Sequence, residues 1–317
     1  MFAYTGLPAI ILVALTLVAS GCGGDNGDEG STTPAPTTAA PTMAATTTPA
    51  PTSAPQPVCL GGGGFAGSGP LSDRTGQAGD GSSIAGIRWA RHEGCERVVI
   101  DLVRADGSEA QSAGAVRAEL RREDGIVRVY LDAAITTVGK TPAEMAEAAA
   151  PKYARLGGEL AEQAFIVRSA EANRSLFIDV HLAAQAEARV LTVGSPARVV
   201  VDLKPGGGPV GAASEQLSGT QDPAGIVVIT PKAGMASYPL RVTGYARTFE
   251  ANVVSEVRQG GPSVAQVFGN SSDWLEAWGV FELVLLSGPA GPVDLFAGEY
   301  SPADGSEQGV HIALTMR

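Results

Sequence analysis

Aromatic side chains make up only 5% of this 317-residue chain, and charged ones only 17%. Basic residues are the scarcer sign: 22 Lys and Arg stand against 33 Asp and Glu, a formal net charge of −11. Phosphate binding needs clustered Lys and Arg, so the acidic balance disfavours nucleic acid and no such partner is expected. Histidine is rarer still. His92, His181 and His311 stand alone, at no spacing that resembles a zinc motif, so no metal site and no cofactor is expected. No apolar run reaches the roughly 20 residues that span a membrane comfortably. The chain also lacks GxSxG, HExxH, a Ser–Lys motif and an unassigned Cys near a His. Each would supply an activated nucleophile or a metal-bound water, and without them no enzyme is expected. A cryptic hydrolase built on a carboxylate pair is the lesser alternative, since no spacing singles out such a pair.

What the chain has in plenty is glycine (41) and proline (21), the residues of turns and linkers. Its length suits two ordinary domains. Charge is spread unevenly. Residues 84–204 carry sixteen basic and seventeen acidic side chains, whereas residues 205–317 carry five and eleven. The acidic excess keeps an exported protein soluble without implying any specific partner.

Leu7 to Ala19 is an apolar run of signal-peptide length, and it ends in Ala19-Ser20-Gly21-Cys22. Small residues directly before a Cys resemble the lipobox of bacterial lipoproteins. The resemblance implies removal of residues 1–21, lipidation of Cys22 and a lipid anchor in the cell membrane, with the rest of the chain extracytoplasmic. Residues 1–6 lack the customary basic residue, so an upstream start and an uncleaved anchor stay open as alternatives.

Residues 22–83 read as a disordered Thr/Pro/Gly-rich spacer, with STTPAPTTAAPTMAATTTPAPTSAPQP at its heart. Such a segment cannot bury apolar surface. In polyproline II at about 3.1 Å per residue it would hold the folded domains up to roughly 100 Å above the membrane. Its threonines are candidate O-glycosylation sites. GGGGFAGSG at Gly61–Gly69 lacks the flanking strand and helix of a dinucleotide or phosphate loop and is read as linker. With Cys22 assigned to lipid, Cys59 and Cys95 form an even pair in an oxidising compartment and are expected to bridge, two free thiols being the alternative.

Residues 84–204 hold short β-branched runs at Ile84–Trp89, Arg97–Val103, Val116–Leu120, Ile126–Leu131, Ala164–Arg168, Ser175–Leu182, Arg189–Val193 and Arg198–Leu203. These predict strands. One helix is predicted after Thr141-Pro142-Ala143-Glu144, a capping box with Pro at the first helical position. Arg97-Val-Val-Ile-Asp-Leu102 and Arg198-Val-Val-Val-Asp-Leu203 nearly repeat. Both are read as core strands, with Asp101 and Asp202 solvated or bonded to a turn. The opening "RVVxDL", the short middle strands and the closing "PARVVVDLKP" resemble the AMIN family and its AMIN-like relatives. That likeness implies a β-sandwich that targets envelope proteins, in some cases by binding peptidoglycan. Cys95 beside the motif and the helix at 141–150 depart from the pattern. Arg88, Trp89 and Arg91, around the first strand, are candidate ligand contacts: Trp89 for stacking on a sugar and an Arg for carboxylates of wall peptides. The competing reading buries Trp89 in the sandwich.

After a linker at 205–223, residues 224–317 again read as strands: Ile226–Thr230, Pro239–Ala246, Phe249–Val257, Val280–Leu286, Val293–Ala297 and Val310–Leu314. Regularly spaced short strands suggest an immunoglobulin-like sandwich. Pro231, Pro239-Leu240, Val242, Gly244, Ala246, Phe249-Glu250-Ala251, Phe281-Glu282, Ser301 and Asp304-Gly305-Ser306 resemble the second Gmad family, the immunoglobulin-like domain associated with bacterial spore germination proteins. The resemblance implies a non-catalytic accessory module. Gly244 is read as a bulge or a close backbone approach. Glu250 is read as bonded to a neighbouring turn, with ligand contact as the alternative. Trp274 and Trp278 are candidate stacking contacts, although one such Trp commonly closes a sandwich.

The expectation is therefore a mainly β lipoprotein with two β-sandwich domains after a disordered spacer. It would act as a binding module for wall glycan or wall-associated proteins. An accessory or signalling role in a spore-germination-like process is the alternative.

Overall fold

A computed structural model describes residue 59 and residues 64–73, 79–132, 134–135, 153–171, 175–209, 215–217 and 225–317. Cys22, the signal segment, most of the spacer and the helix predicted at 141–150 lie outside these residues. The regular structure of the described residues is all strand apart from one short 3-10 turn at Phe249–Ala251.

Two mainly antiparallel sandwiches are built from three sheets. One sheet of ten strands runs through both. Its first half joins Gly69–Asp73, Val116–Arg121, Ile126–Leu131, Leu176–Leu182 and Ala161–Arg168, with Tyr153–Arg155 also on the last. The second half joins Trp278–Leu285, Leu240–Arg247, Gly225–Thr230 and Glu215–Leu217. The halves meet where Trp278 and Gly279 run parallel to Val167 and Arg168. The first half packs on a five-stranded sheet ordered Ala186–Val193, Arg198–Pro205, Cys95–Val103, Ser83–His92 and Ala134–Ile135. The second half packs on another, ordered Gly234–Ala236, Glu307–Met316, Gly291–Tyr300, Asn252–Arg258 and Ser263–Asn270.

Alternation explains how a third core arises. Val127, Val129, Ile166, Ile178 and Val180 face the first sandwich core. Their strand neighbours Ile126, Phe165, Val167 and Phe177 point the other way. Ile226 and Val228 likewise face the second core, while Val227 and Ile229 point out. The outward sets pack on each other with Tyr245 and Trp278 between the sandwiches. Strands covered on both faces read as unbroken apolar runs rather than alternating ones, as IVVI at 226–229 does. Linker or not, residues 205–223 do not separate two independent bodies: the sandwiches share a sheet and a core.

The repeated Arg-Val-Val-x-Asp segments turn out to be neighbours. Arg198–Pro205 lies antiparallel to Cys95–Val103, with Arg198 opposite Asp101 and Asp202 opposite Arg97. Each Arg therefore answers the other copy's Asp. Arg97 binds Asp202 through two bonds of 2.6 and 3.0 Å, and Arg198 lies 3.3 Å from Asp101. The flanking strands add a second Arg to each Asp: Arg189 to Asp202 at 2.8 Å and Arg88 to Asp101 at 2.6 Å. Asp202 is fully buried, which corrects the expectation of a solvated or turn-bonded side chain. Two guanidiniums from neighbouring strands replace the water it gives up.

Gly244 meets both expectations for it. The register between its strand and Gly225–Thr230 shifts between Val228 and Thr230. A Cβ at Gly244 would stand 1.8 Å from the Val227 carbonyl oxygen, so only glycine fits.

The chain's entry is fastened at several points. Cys59 and Cys95 are joined by a disulfide, Cα atoms 6.2 Å apart. Ala66 bridges to Ala188. The Phe65 ring lies under Arg189 and Lys204, and Arg122 donates to the Gly67 carbonyl.

Candidate functional site

The sequence-predicted cluster on the first strand is already occupied with internal partners. Arg88, exposed, forms two bonds to Asp101. Arg91 pairs with Glu159 at 2.8 Å. Trp89 lies half-buried against the first core, its indole N–H 3.4 Å from Glu96. Glu96 itself accepts from the backbone N–H groups of Glu159, Leu160 and Ala161 at 2.7–3.0 Å. Burial alone would raise the Glu96 carboxyl, but these donors outweigh it and hold it below the usual range. The structure thus uses Glu96, with Trp89 and Arg91 beside it, to staple the turn at 159–161.

Trp278 is corrected as a ligand contact. It is only 5% exposed and packs edge-on to Phe165, with centroids 5.2 Å apart, in the core between the sandwiches. Its position at the joint of the two half-sheets leaves no face open to a partner.

Trp274 has the opposite fate. Its ring meets Phe249, 49% exposed, at a centroid distance of 6.1 Å, and Leu275 beside it is 59% exposed. Trp274 itself is half-buried, so the exposed apolar surface here comes from Phe249 and from Leu275 next to Trp274 in sequence, and exposed apolar surface of this kind marks interaction sites. Hydrogen bonds hold both supporting turns. Asp273 accepts from the N–H groups of Trp274, Leu275 and Glu276 at 2.7, 2.9 and 3.2 Å. Arg168, from the first sandwich, binds Asp273 at 2.6 Å and Glu276 at 2.8 Å. Burial alone would raise the Asp273 carboxyl, but Arg168 and the backbone donors more than offset it and hold it low. On the other turn, Glu299 accepts from the Phe249 N–H at 2.8 Å.

Glu250 and Ala251 adopt left-handed backbone angles, φ 53° and 64°. Such strain costs on the order of 1–3 kcal/mol per residue and gathers at functional sites. Glu250 points to solvent rather than into the turn. The Phe249–Ala251 turn also replaces the first residues of the predicted strand, which starts at Asn252. The exposed amides of Asn252 and Asn270 lie next to it, 3.4 Å from each other, and Asn252 donates to the Phe249 carbonyl. An apolar platform rimmed by amides is suited to a ligand with both apolar faces and hydroxyl groups.

The same loop borders a cleft of about 590 Å³ between the sandwiches, lined by Arg121, Ser169, Thr230, Thr243, Ser272 and Glu282. Beneath it, Arg128 makes two bonds of 2.8 and 2.7 Å to the fully buried Asp179, to which the Tyr245 hydroxyl also donates. Burial pushes the Asp179 carboxyl up against the opposing pull of Arg128. His181 is buried beside them, in ring contact with Phe165 and Tyr245. Burial, with Lys232 and Arg128 nearby, lowers it to about 3. Among the described residues no group of three or more His, Cys, Asp or Glu is placed to hold a metal ion.

Sequence reasoning found Trp274 but missed Phe249, Leu275, Asp273 and Arg168. Asp273 carried a signal: an Asp ahead of three free N–H groups is a local cap. Arg168 carried none, because its partner lies in the other sandwich.

Residues 225–306 match the model of the Gmad2 family, described as the immunoglobulin-like domain of bacterial spore germination. Comparison with curated proteins and with solved structures gave no match.

Proposed function

We propose that the chain is a lipoprotein anchored in the cell membrane through Cys22, extracytoplasmic and non-catalytic, whose folded part binds cell-wall glycan. The first sandwich is on this reading an AMIN-like domain, and the second is a Gmad-type module that presents the ligand-contacting residues. The observation that carries the proposal is the contact of exposed Phe249 with half-buried Trp274, beside exposed Leu275, on a loop braced from the first sandwich by Arg168. Aromatic faces stack on the apolar faces of sugars, and Trp is prominent among residues that dominate binding energy. On this reading binding lies in the second sandwich rather than around Arg88, Trp89 and Arg91.

The test is co-sedimentation of the chain from Gly23 to Arg317 with insoluble cell wall. Phe249→Ala with Trp274→Ala should weaken binding by about tenfold in affinity, or 1.4 kcal/mol, while the melting temperature falls by no more than a few degrees, about what 1–2 kcal/mol costs. Undiminished binding in the double variant would remove the platform from the proposal. Cys22→Ser should abolish lipid labelling and release the protein, and labelling that persists would remove the anchor.

A second reading rests on the family description: an accessory role in a spore-germination-like process, with a wall-associated protein on the same platform. Binding that survives digestion of the glycan would favour it.

A further inference from the structure

The strand Ser263–Asn270 ends its five-stranded sheet. It pairs on one side with Asn252–Arg258, and no described strand covers the other. Proteins usually guard such an edge with charge, proline, a bulge or a covering segment, because its free N–H and C=O groups recruit other strands. Here the guard is thin. From Gln259 to Ser272 there is no charged residue, and Pro262 lies before the strand. A bulge at the entry, where the register shifts between Val257 and Arg258, leaves the run from Ala265 onward regular.

The side chains alternate. Ala265 and Val267 pack on the second core, and a Cβ at Gly269 would meet Leu283. Val264, Gln266 and Phe268 point out, with Val264 49% and Phe268 68% exposed. Gln266 is held in place by a 2.6 Å bond to the buried Glu256. From 264 to 268 the chemistry is palindromic: apolar out, apolar in, amide out, apolar in, apolar out.

We infer that this edge is an interface for a second copy of the chain, with the two strands antiparallel about Gln266. Opposed residues in an antiparallel pair point to the same face. The two-fold therefore sets Gln266 against its own copy and Val264 against Phe268, a β-branched residue against an aromatic one, which is a favourable cross-strand pair. Residues 205–317 carry eleven acids against five bases, so two copies repel over much of their surface. The uncharged edge lets them meet without placing like charges opposite one another. A symmetric contact of this kind closes as a dimer and goes no further.

The experiment is sedimentation velocity on the chain from Gly23 to Arg317 over a hundredfold concentration range. The expected result is a rise to twice the monomer mass, abolished by Phe268→Lys with an unchanged melting temperature. Because a lysine there can disturb the fold, a second variant reads the register directly. Opposed Cα atoms lie about 4.5–5.5 Å apart, within disulfide range. With Cys59 and Cys95 already joined, Gln266→Cys offers a single thiol. Mild oxidation should convert it to a covalent dimer, whereas Ser287→Cys, exposed elsewhere on the second sandwich, should stay monomeric. A monomer at every concentration, a dimer indifferent to Phe268→Lys, or equal cross-linking of the two cysteine variants would each overturn the inference.

Discussion

Trp274 and Trp278 sit one turn of sequence apart and do different work. Trp278 is inside, closing the core that joins the sandwiches; Trp274 is half-buried at the surface, fixed beside Phe249 on a loop that Asp273 caps. The inner region is shaped by packing and leaves nothing to a partner. The outer region leaves apolar surface uncovered although a rigid frame holds it there. A tryptophan near a strand start is thus uninformative by itself. What separates the two is whether the neighbouring polar groups bind the ring's surroundings or the loop that displays it.

The sharpest way to break this comparison is to truncate both. Trp278→Ala should cost about 3–5 kcal/mol in denaturant unfolding, as large buried aromatics do, whereas Trp274→Ala should cost no more than about 1 kcal/mol. Equal losses would abolish the distinction. Asp179→Ala should be as damaging as Trp278→Ala, about 3–5 kcal/mol, because it leaves the Arg128 guanidinium buried without its partner. Tyr245→Phe should cost only about 1–2 kcal/mol, since one donor to Asp179 is lost and Arg128 remains.

A pH series sharpens the comparison further. His181 stays neutral in the fold down to about 3 but takes a proton below 6.5 once unfolded. The unfolded state therefore binds more protons between these values, and stability is full above pH 6.5 and declines as pH falls through this window. His181 alone would give a slope approaching one proton, about 1.4 kcal/mol per pH unit, opposed wherever the raised Asp179 carboxyl keeps in the fold a proton that the unfolded chain has lost. Asp80 is held at about 2, chiefly by the Ser112 N–H, and weakens the fold only in more acid solution, below its ordinary value of 3.8. Between pH 4.5 and 6.5, in rough terms set by those ordinary values, His181→Phe should flatten the profile. A profile that His181→Phe leaves unchanged over that interval would contradict the assignment. The smallest effect is on the outer region: Trp274→Ala should leave the slope untouched.

Much of the strand content was legible, because Val- and Ile-rich runs between Gly and Pro leave few other choices. Ile126–Leu131 appears with the expected bounds. Strands read too short, such as Val293–Ala297 within Gly291–Tyr300, lost their polar ends to the reading. Ser263–Asn270 was missed because its apolar side chains fall on both faces, Val264 and Phe268 outward and Ala265 and Val267 inward, and so show no clean alternation. The interdomain core was illegible for a different reason. Phe177, Asp179 and His181 alternate along one face of their strand, and all three are buried although two of them are polar. Their partners Arg128 and Tyr245 lie 51 and 66 residues from Asp179, a separation that no local pattern encodes. The platform was half legible for the same reason: Trp274 lies in a polar loop where a large aromatic stands out, while Phe249 reaches it from a different turn.

The disulfide has a mechanical meaning. Any tension entering from the N-terminal side arrives at Cys59, and the shortest covalent route onward is the sulfur bridge to Cys95. Cys95 opens the middle strand of its sheet, flanked on both sides by paired strands. Load is thereby delivered to the best-supported strand of the first sandwich and bypasses Phe65 and the Ala66 bridge, which would otherwise peel one contact at a time.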